Sequence, residues 1–335
     1  MRLPEKHISS EQWKRLRALG DRVTRTTSDG ELVWETQAWD TIRSDSHQIT
    51  IKLGSDSFWI QGSPARIMGD GCAVFATGPS HDLDLVGCVN AMRNFVSKQL
   101  GEILPLADAW IVTRIDVTAN YLLNDLAHVR EALSILRNCE GGRYRVSQQA
   151  GDTVYWSHNS RLRKGKAYAK GPHLKYLMNK RNYDGRQYTE EEIEQANKLL
   201  RLELTIGSQF IREKINKPWQ KISPDELRQH HTDYFKRMLG NIDMKDDTEI
   251  KEHIINTAKT FNQGRAAYAC FLLIQNIGWQ KARDITAHNT WYRHLRVLRE
   301  AGLGDADISN GSVVAVSRKV LEINEINSWP QLMAA

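Results

Sequence analysis

Three short segments hold residues whose types and spacing suit chemistry. Tyr168 stands between two lysines in Lys166-Ala-Tyr-Ala-Lys170. Arg114-Ile-Asp116 sits inside the apolar run Trp110–Val117, and Arg201-Leu-Glu203 inside Leu199–Ile206. All three read as strands, in which residues i and i+2 point to the same face. Arg114 then shares a face with Asp116, Arg201 with Glu203, and Lys166 and Lys170 with Tyr168. Charges within apolar strands are costly to bury unless they are paired or hold a ligand.

One reading pairs the two Arg-x-acid strands in a structural lattice of ion pairs and leaves Tyr168 as a packing residue. The other reading makes a site. Asp116 and Glu203 on neighbouring strands offer hard oxygen ligands, which suit Mg2+ or Mn2+ rather than zinc. Positive charge on both sides of Tyr168 is expected to pull its phenol below the ordinary pKa of about 10. Such a phenol is a usable nucleophile on phosphorus, with a metal polarising the phosphate and Lys166 and Lys170 neutralising developing charge.

The elements that position these residues alternate between sheet and helix. Glu31–Thr36, Gln48–Leu53 and Ser57–Gln61 read as strands, the second with clear alternation. Leu83–Leu100 has helical spacing and ends at Gly101. Trp110–Tyr121 reads as a central strand, and Asp125–Arg137 as an amphipathic helix. Arg143–Ser147, Thr153–Ser157 and Lys166–Lys170 follow as strands, then a charged helix Tyr188–Lys198 and the strand Leu199–Ile206. Short strand-to-strand links with interspersed helices predict an α+β domain on a mostly antiparallel sheet.

The chain divides by character. Residues 1–30 read as helix plus loop, with Glu11–Gly20 helical, and 31–215 as the sheet domain. Residues 216–252 form a polar connection with Pro218, Pro224 and the acidic stretch Asp243–Glu249, and 253–335 a helical domain. In the last, Ala266–Ile277 and Trp279–Ile285 read as helices. Thr286 is placed to cap a third, Ala287–Ala301, which buries Trp291, Leu295 and Leu298 and leaves Arg293, Arg296 and Arg299 off that face. With a β-rich segment at Ser312–Ile323, this is the plan of a winged helix-turn-helix, whose last helix enters a DNA major groove. A plain helical domain is the alternative.

An apolar share of 41% with 26% charged residues in 335 residues is that of a folded globular protein. The longest apolar runs, such as Ala267–Ile274, fall well short of the roughly 20 residues of a membrane span. Met1–Lys14 lacks the apolar core of a signal peptide. Cys72, Cys88, Cys139 and Cys270 are spaced as free thiols of a cytoplasmic protein. The net charge of +6 is concentrated: Ser160–Arg181 carries eight Lys or Arg and no acid. A solvated face mixes both signs, so this block is expected to face phosphate. Arg161, Arg163, Lys164, Lys166 and Lys175 belong to it, and such contacts hold a DNA backbone without reading its sequence.

Four segments, in order, resemble the replication initiators of filamentous phages and related plasmids, of the gene II/X type. They are Gly62-Ser-Pro-Ala-Arg66 with Val74-Phe75; Thr113-Arg-Ile-Asp116; Thr153-Val-Tyr-Trp156 with Ser160-Arg161 and Ala167-Tyr168-Ala-Lys170; and Leu200-Arg-Leu-Glu203. The resemblance spans about Gln61–Ser208, with a weaker echo at Trp291-Tyr-Arg-His294. It implies an endonuclease that nicks one strand of a double-stranded origin with Tyr168 and stays joined to the 5′ phosphate. The free 3′ hydroxyl primes rolling-circle synthesis, and the displaced strand is later rejoined. It also implies a divalent metal, commonly Mg2+, contact with double- and single-stranded DNA, and work beside host helicase and single-strand-binding protein in the bacterial cytoplasm.

The His-hydrophobe-His metal motif of many rolling-circle initiators is absent. His230-His231 read as surface residues, and His81-Asp-Leu-Asp84 as a loop or cap, leaving His158 as third metal candidate after Asp116 and Glu203. Tyr155 and Tyr176 are candidates for a second nucleophile, with neither preferred. Two other functions fit parts of the pattern: a non-catalytic DNA-binding repressor or copy-control protein, and a metal-dependent nuclease in which water attacks instead of Tyr168.

Overall fold

The computed structural model describes residues 1–19, 22–37, 40–42, 49–68, 72–75, 84–137, 146–147, 151–181, 183, 185–239, 247–310 and 325–335. Six strands come first: β1 (Arg2–Pro4), β2 (Arg22–Thr26), β3 (Leu32–Gln37), β4 (Asp40–Ile42), β5 (Ile49–Leu53) and β6 (Ser57–Gln61). β2 and β3 form a separate hairpin, and the other four make a sheet in the order β1-β6-β5-β4. Residues 1–30, expected to be helix and loop, therefore also supply β1 and β2, around the helix α1 (Ser10–Arg17).

A second, five-stranded sheet comprises β7 (Arg114–Leu122), β8 (Val146–Ser147), β9 (Thr153–Trp156), β10 (Arg163–Ala169) and β11 (Leu199–Gly207). Its order is β7-β11-β10-β9-β8 and every pairing is antiparallel. The helices interleaved with the strands are α2 (Pro64–Met68), α3 (Leu85–Leu100), α4 (Leu126–Arg137), α5 (Lys170–Met178), α6 (Glu190–Ala196) and the short α7 (Ser208–Phe210). After them, α8 (Pro224–Leu239) packs against β7 and β11. The α+β class expected from the sequence is the class observed.

Local signals explain the helix limits. α3 ends at Gly101, whose left-handed φ of 65° suits glycine. α6 starts with a capping box between Thr189 and Glu192. β10 stops at Ala169 and Lys170 opens α5, so Lys170 is not the last residue of a strand as expected. Pro172 explains the change, because a proline fits the first turn of a helix, where its missing N–H needs no partner.

One face of the five-stranded sheet is apolar and packs on α4 and α8. Val154, Trp156, Ala167, Leu202, Leu204 and Ile206 are buried there, with Tyr234 and Phe235 of α8. Gly165 allows this approach: a Cβ there would sit 2.5 Å from Tyr234 Cε1. His231, expected at the surface, is buried in this core and its Nε2 lies 3.2 Å from Leu202 O. The apolar side of α8 carries it inward.

The C-terminal helices α9 (Asp247–Thr257), α10 (Phe261–Ile277), α11 (Trp279–Ile285), α12 (His288–Glu300) and α13 (Asp305–Asn310) close on a core of their own around Phe271, Trp279, Trp291, Leu295 and Leu298. Thr286 does not cap α12, since its hydroxyl donates back to Ala282 O at 2.7 Å. The expected strands at 312–323, and His81 and Cys139, lie outside the described residues. Cys72 and Cys270 are buried thiols and Cys88 is a half-buried one, none of them in a disulfide among the described residues. The final segment returns to the five-stranded sheet: Ile326 N donates to Asn120 O at 2.9 Å, and α14 (Trp329–Met333) follows. Among the described residues no helix is long and apolar enough to cross a membrane.

Candidate active site

The second face of the five-stranded sheet is polar, and its register sets three rows of side chains across it. Thr153, Tyr168, Arg201 and Asn120 form one row. Tyr155, Lys166, Glu203 and Thr118 form the next, and Lys164, Thr205 and Asp116 the third. The three sequence segments are therefore brought together, with β10 and β11 as direct neighbours and β7 beyond β11.

Tyr168 is the innermost of these groups, at 4% exposure. Lys166 Nζ lies over its ring at 4.0 Å from the centroid, Lys170 Nζ at 5.7 Å, and the His173 ring at 4.8 Å. Lys166 thus covers the ring face. The expected lowering of the phenol pKa is not what results. Burial raises it, and the opposing charge of Arg201 is the smaller effect.

Lys170 is 1% exposed, and burial pushes its amine well below the ordinary value, helped by Arg201 and Arg66. Its expected positive charge is opposed by the site that holds it. Lys166 is also lowered, first by burial, with Glu203 opposing. His173 is held neutral, its pKa pushed down to about 2 by burial and then by Lys170 and Lys166. Among the described residues its buried Nδ1 has no hydrogen-bond partner.

The two Arg-x-acid strands differ. Arg114 clasps Asp116 along β7, Nε to Oδ1 at 2.9 Å and Nη2 to Oδ2 at 2.8 Å, and the Thr205 hydroxyl donates to Asp116 Oδ1 at 2.7 Å. Arg201 does not pair with Glu203. It donates to Asn120 Oδ1, to Ala73 O and to Val74 O, fastening the Cys72–Phe75 loop beside the sheet. The structural lattice therefore exists only in its Arg114 half. Asp116 and Glu203 lie on adjacent strands but one step apart along them, since Asp116 faces Thr205 and Glu203 faces Thr118.

An open cavity of about 270 Å³ lies beside Tyr168 on this face, lined chiefly by Arg114, Tyr155, His158, Lys164, Lys166 and Glu203. Lys164 is exposed at its mouth, and Arg161 and Lys175 are exposed nearby in the chain. Arg163 does not join them. It is one residue out of phase with Lys164 and turns to the other face, where its guanidinium stacks 4.5 Å from the centre of the Phe210 ring. Tyr176 projects from α5 at 63% exposure, whereas Tyr155 faces the cavity.

On α12, Arg293 and Arg296 are exposed. Arg299 is turned inward to the buried Asp305, with bonds of 3.1 and 2.7 Å, so it is a structural residue and not the surface cation expected. His173 and Arg66 escaped the sequence reading. Arg66 belongs to the Gly62–Arg66 segment, and its charge acts on Tyr168, Lys170 and His173 together.

The family model of the N-terminal region of the phage replication-associated protein, the gene II product, matches residues 2–229. The chain belongs to this family. The match takes in the whole five-stranded sheet and so every residue of the polar face. The replication-associated gene II protein of Enterobacteria phage I2-2 is 24% identical over 328 residues, covering 90% of this chain and 88% of that protein. The likeness to this relative thus continues into the C-terminal helices. No solved structure matches the chain. The chain is accordingly a phage replication-associated protein of the gene II type.

Proposed function

We propose that this gene II-family chain is a site-specific DNA nickase that starts rolling-circle replication and later rejoins the displaced strand. The observation that supports this reading is the row that sets Tyr168 against Arg201, beside Lys166, Glu203 and the open cavity. In the reaction the phenol oxygen bonds to the scissile phosphorus as the bond from phosphorus to the 3′ oxygen breaks. The phenol gives up its proton and the 3′ oxygen gains one. The products are a 5′-phosphotyrosyl end and a free 3′ hydroxyl. Lys166 and Arg201 offset negative charge near the phenol, and Lys170, whose amine burial pushes towards its neutral form, takes up the phenol proton.

The reading requires Tyr168 to become reachable, so the side chains over it, Lys166 and His173, open when DNA binds. Asp116 and Glu203 fit a divalent ion of the Mg2+ type, which takes one or two carboxylates and completes its shell with water and substrate phosphate. Glu203 forms no ion pair among the described residues, and no three His, Cys, Asp or Glu among them are grouped to cage a metal. When bound, such an ion polarises the scissile phosphate. Arg161, Lys164 and Lys175 hold the DNA backbone, and Arg293 and Arg296 of α12 contact the duplex origin. Host helicase and single-strand-binding protein act on the opened strand in the bacterial cytoplasm.

A second reading, hydrolysis by water, is favoured by one observation: the open cavity does not reach the sealed Tyr168 phenol. One experiment separates the two. Supercoiled DNA carrying the element's own origin is incubated with Mg2+ and either the unaltered chain or Tyr168→Phe, and denaturing gels are read for nicks and for DNA migrating with protein. Nicking and a covalent adduct, both lost in Tyr168→Phe, are expected. Nicking without an adduct, or nicking that survives the substitution, replaces the first reading with the second.

A further inference from the structure

The cavity beside Tyr168 has features that nicking by Tyr168 does not itself call for. Its volume of about 270 Å³ falls below the ~300–1,000 Å³ range of sites for drug-sized ligands and suits one nucleotide. Its wall on β9 is aromatic: the half-buried Tyr155 faces in, with the His158 ring edge-on at 5.8 Å. Its floor is cationic. Lys166 Nζ lies 5.6 Å from the centre of the Tyr155 ring, and neither Lys164 nor Lys166 forms an ion pair among the described residues. Arg114 spends Nε and Nη2 on Asp116, and among the described residues Nη1 is left for another acceptor.

We infer that this cavity is a subsite for one nucleotide of unpaired DNA, with its base stacked on Tyr155 and its phosphate on Lys164 and Arg114. With no metal ion on it, Glu203, next to Lys166 across the strand pair, repels a phosphate there, which places the phosphate at the Lys164 end. A base in a duplex is already stacked on both sides, so an aromatic wall of this kind selects a single strand. Stacking on a phenol tolerates any base, so the subsite holds the strand without reading it. The inference rests on the DNA-cutting reading for its substrate class but not on the identity of the nucleophile.

The test uses the full chain carrying Tyr168→Phe, so that binding is measured without covalent chemistry. The probe is fluorescein-labelled oligothymidylate, with a duplex of equal length as control. Tyr155→Ala and Tyr155→Leu should weaken single-strand binding about tenfold, while Tyr155→Phe stays within about twofold, because the ring face carries the contact. Lys164→Ala should reduce the slope of log affinity against log salt by about 0.7, one phosphate of a single strand. A 2-aminopurine placed in the oligonucleotide should be quenched by the Tyr155 protein and not by Tyr155→Leu.

Duplex binding should be unchanged by the Tyr155 substitutions. Equal affinities for all Tyr155 variants, a Tyr155→Phe loss as large as that of Tyr155→Ala, or a parallel loss of duplex binding overturns the subsite. Thermal melts of Tyr155→Leu and Tyr155→Phe separate lost stacking from lost folding. If Tyr168→Phe still nicks origin DNA, the nucleophile assignment falls while these binding differences stand.

Discussion

Arg201 donates from Nε to Asn120 Oδ1 across 2.7 Å, and its other two nitrogens donate to the carbonyl oxygens of Ala73 and Val74. A guanidinium used in this way is a clamp. It joins β11 to β7 and ties both to a loop from the other half of the domain, leaving its charge fixed beside Tyr168. Asn120 in turn meets the C-terminal segment through Ile326. The position of the phenol is thus set by residues far apart in the chain.

Arg201→Lys should therefore be a damaging exchange, because an ammonium cannot reproduce the planar fork. Two buried carbonyls and Asn120 lose donors, at a cost of about 2–3 kcal/mol. The expected result is a lower Tm together with faster hydrogen exchange of the Cys72–Phe75 amides. A variant that melts within about 0.5 kcal/mol of the unaltered chain, with the loop still protected, rejects the clamp.

The raised pKa of the Tyr168 phenol gives strand cutting a pH profile. The folded chain holds the phenol proton more firmly than water does, so without a base the nicking rate at saturating DNA and Mg2+ should climb from pH 7 towards pH 10, as expected of Lys170→Met. In the unaltered chain the rate should level once the Lys170 amine is neutral. Stability should move the other way. Above pH 10 the unfolded chain releases a proton that the folded chain retains, and stability falls as the pH rises further. Tyr168→Phe should remove that part of the alkaline decline. A climb to pH 10 in the unaltered chain as well would mean that Lys170 does not take up the phenol proton.

Lys170 has the opposite linkage. Its folded pKa lies well below the ordinary 10.5, so between the two values the unfolded chain binds a proton that the folded chain does not. Stability should rise with pH across that window and lose this contribution to the slope in Lys170→Met. At pH 7 the methionine variant should melt higher, since a desolvated amine is replaced by an apolar chain of similar length. Nicking should nevertheless fall about 100-fold or more if the amine takes up the phenol proton. A higher Tm with unchanged nicking would leave Lys170 with no part in the chemistry.

The sheet was legible where its pattern is local. Alternation in Leu199–Ile206 predicts β11 to within a residue, and the i, i+2 rule already places Lys164, Lys166 and Tyr168 on one face with Arg163 on the other. Reading the basic block as one surface overlooked that parity. Gly171-Pro172 marked the change from strand to helix at Lys170, which also brings His173 round to Tyr168. The burial of Tyr168 was not legible from its neighbours in sequence. The charges that act on it include Arg66, about a hundred residues earlier, and Arg201, and a shift set by long-range packing leaves no trace in the local composition.

Arg299 and its neighbours on α12 separate stability from DNA contact. Asp305 is 1% exposed and its Oδ1 accepts two bonds from Arg299, so Arg299→Ala removes the charged partner of a buried carboxylate. Unfolding of the C-terminal helices should become easier by about 3 kcal/mol. Arg293 and Arg296 are exposed, and alanine at either should shift stability by no more than about 0.5 kcal/mol. If α12 contacts duplex DNA, those two exchanges should instead weaken origin binding and each lower the salt slope by about 0.9, one phosphate of a duplex. Denaturant melts and salt-dependent binding of the single variants decide the matter. Normal origin affinity for Arg293→Ala and Arg296→Ala would move the duplex contact away from α12, whatever Arg299→Ala does to folding.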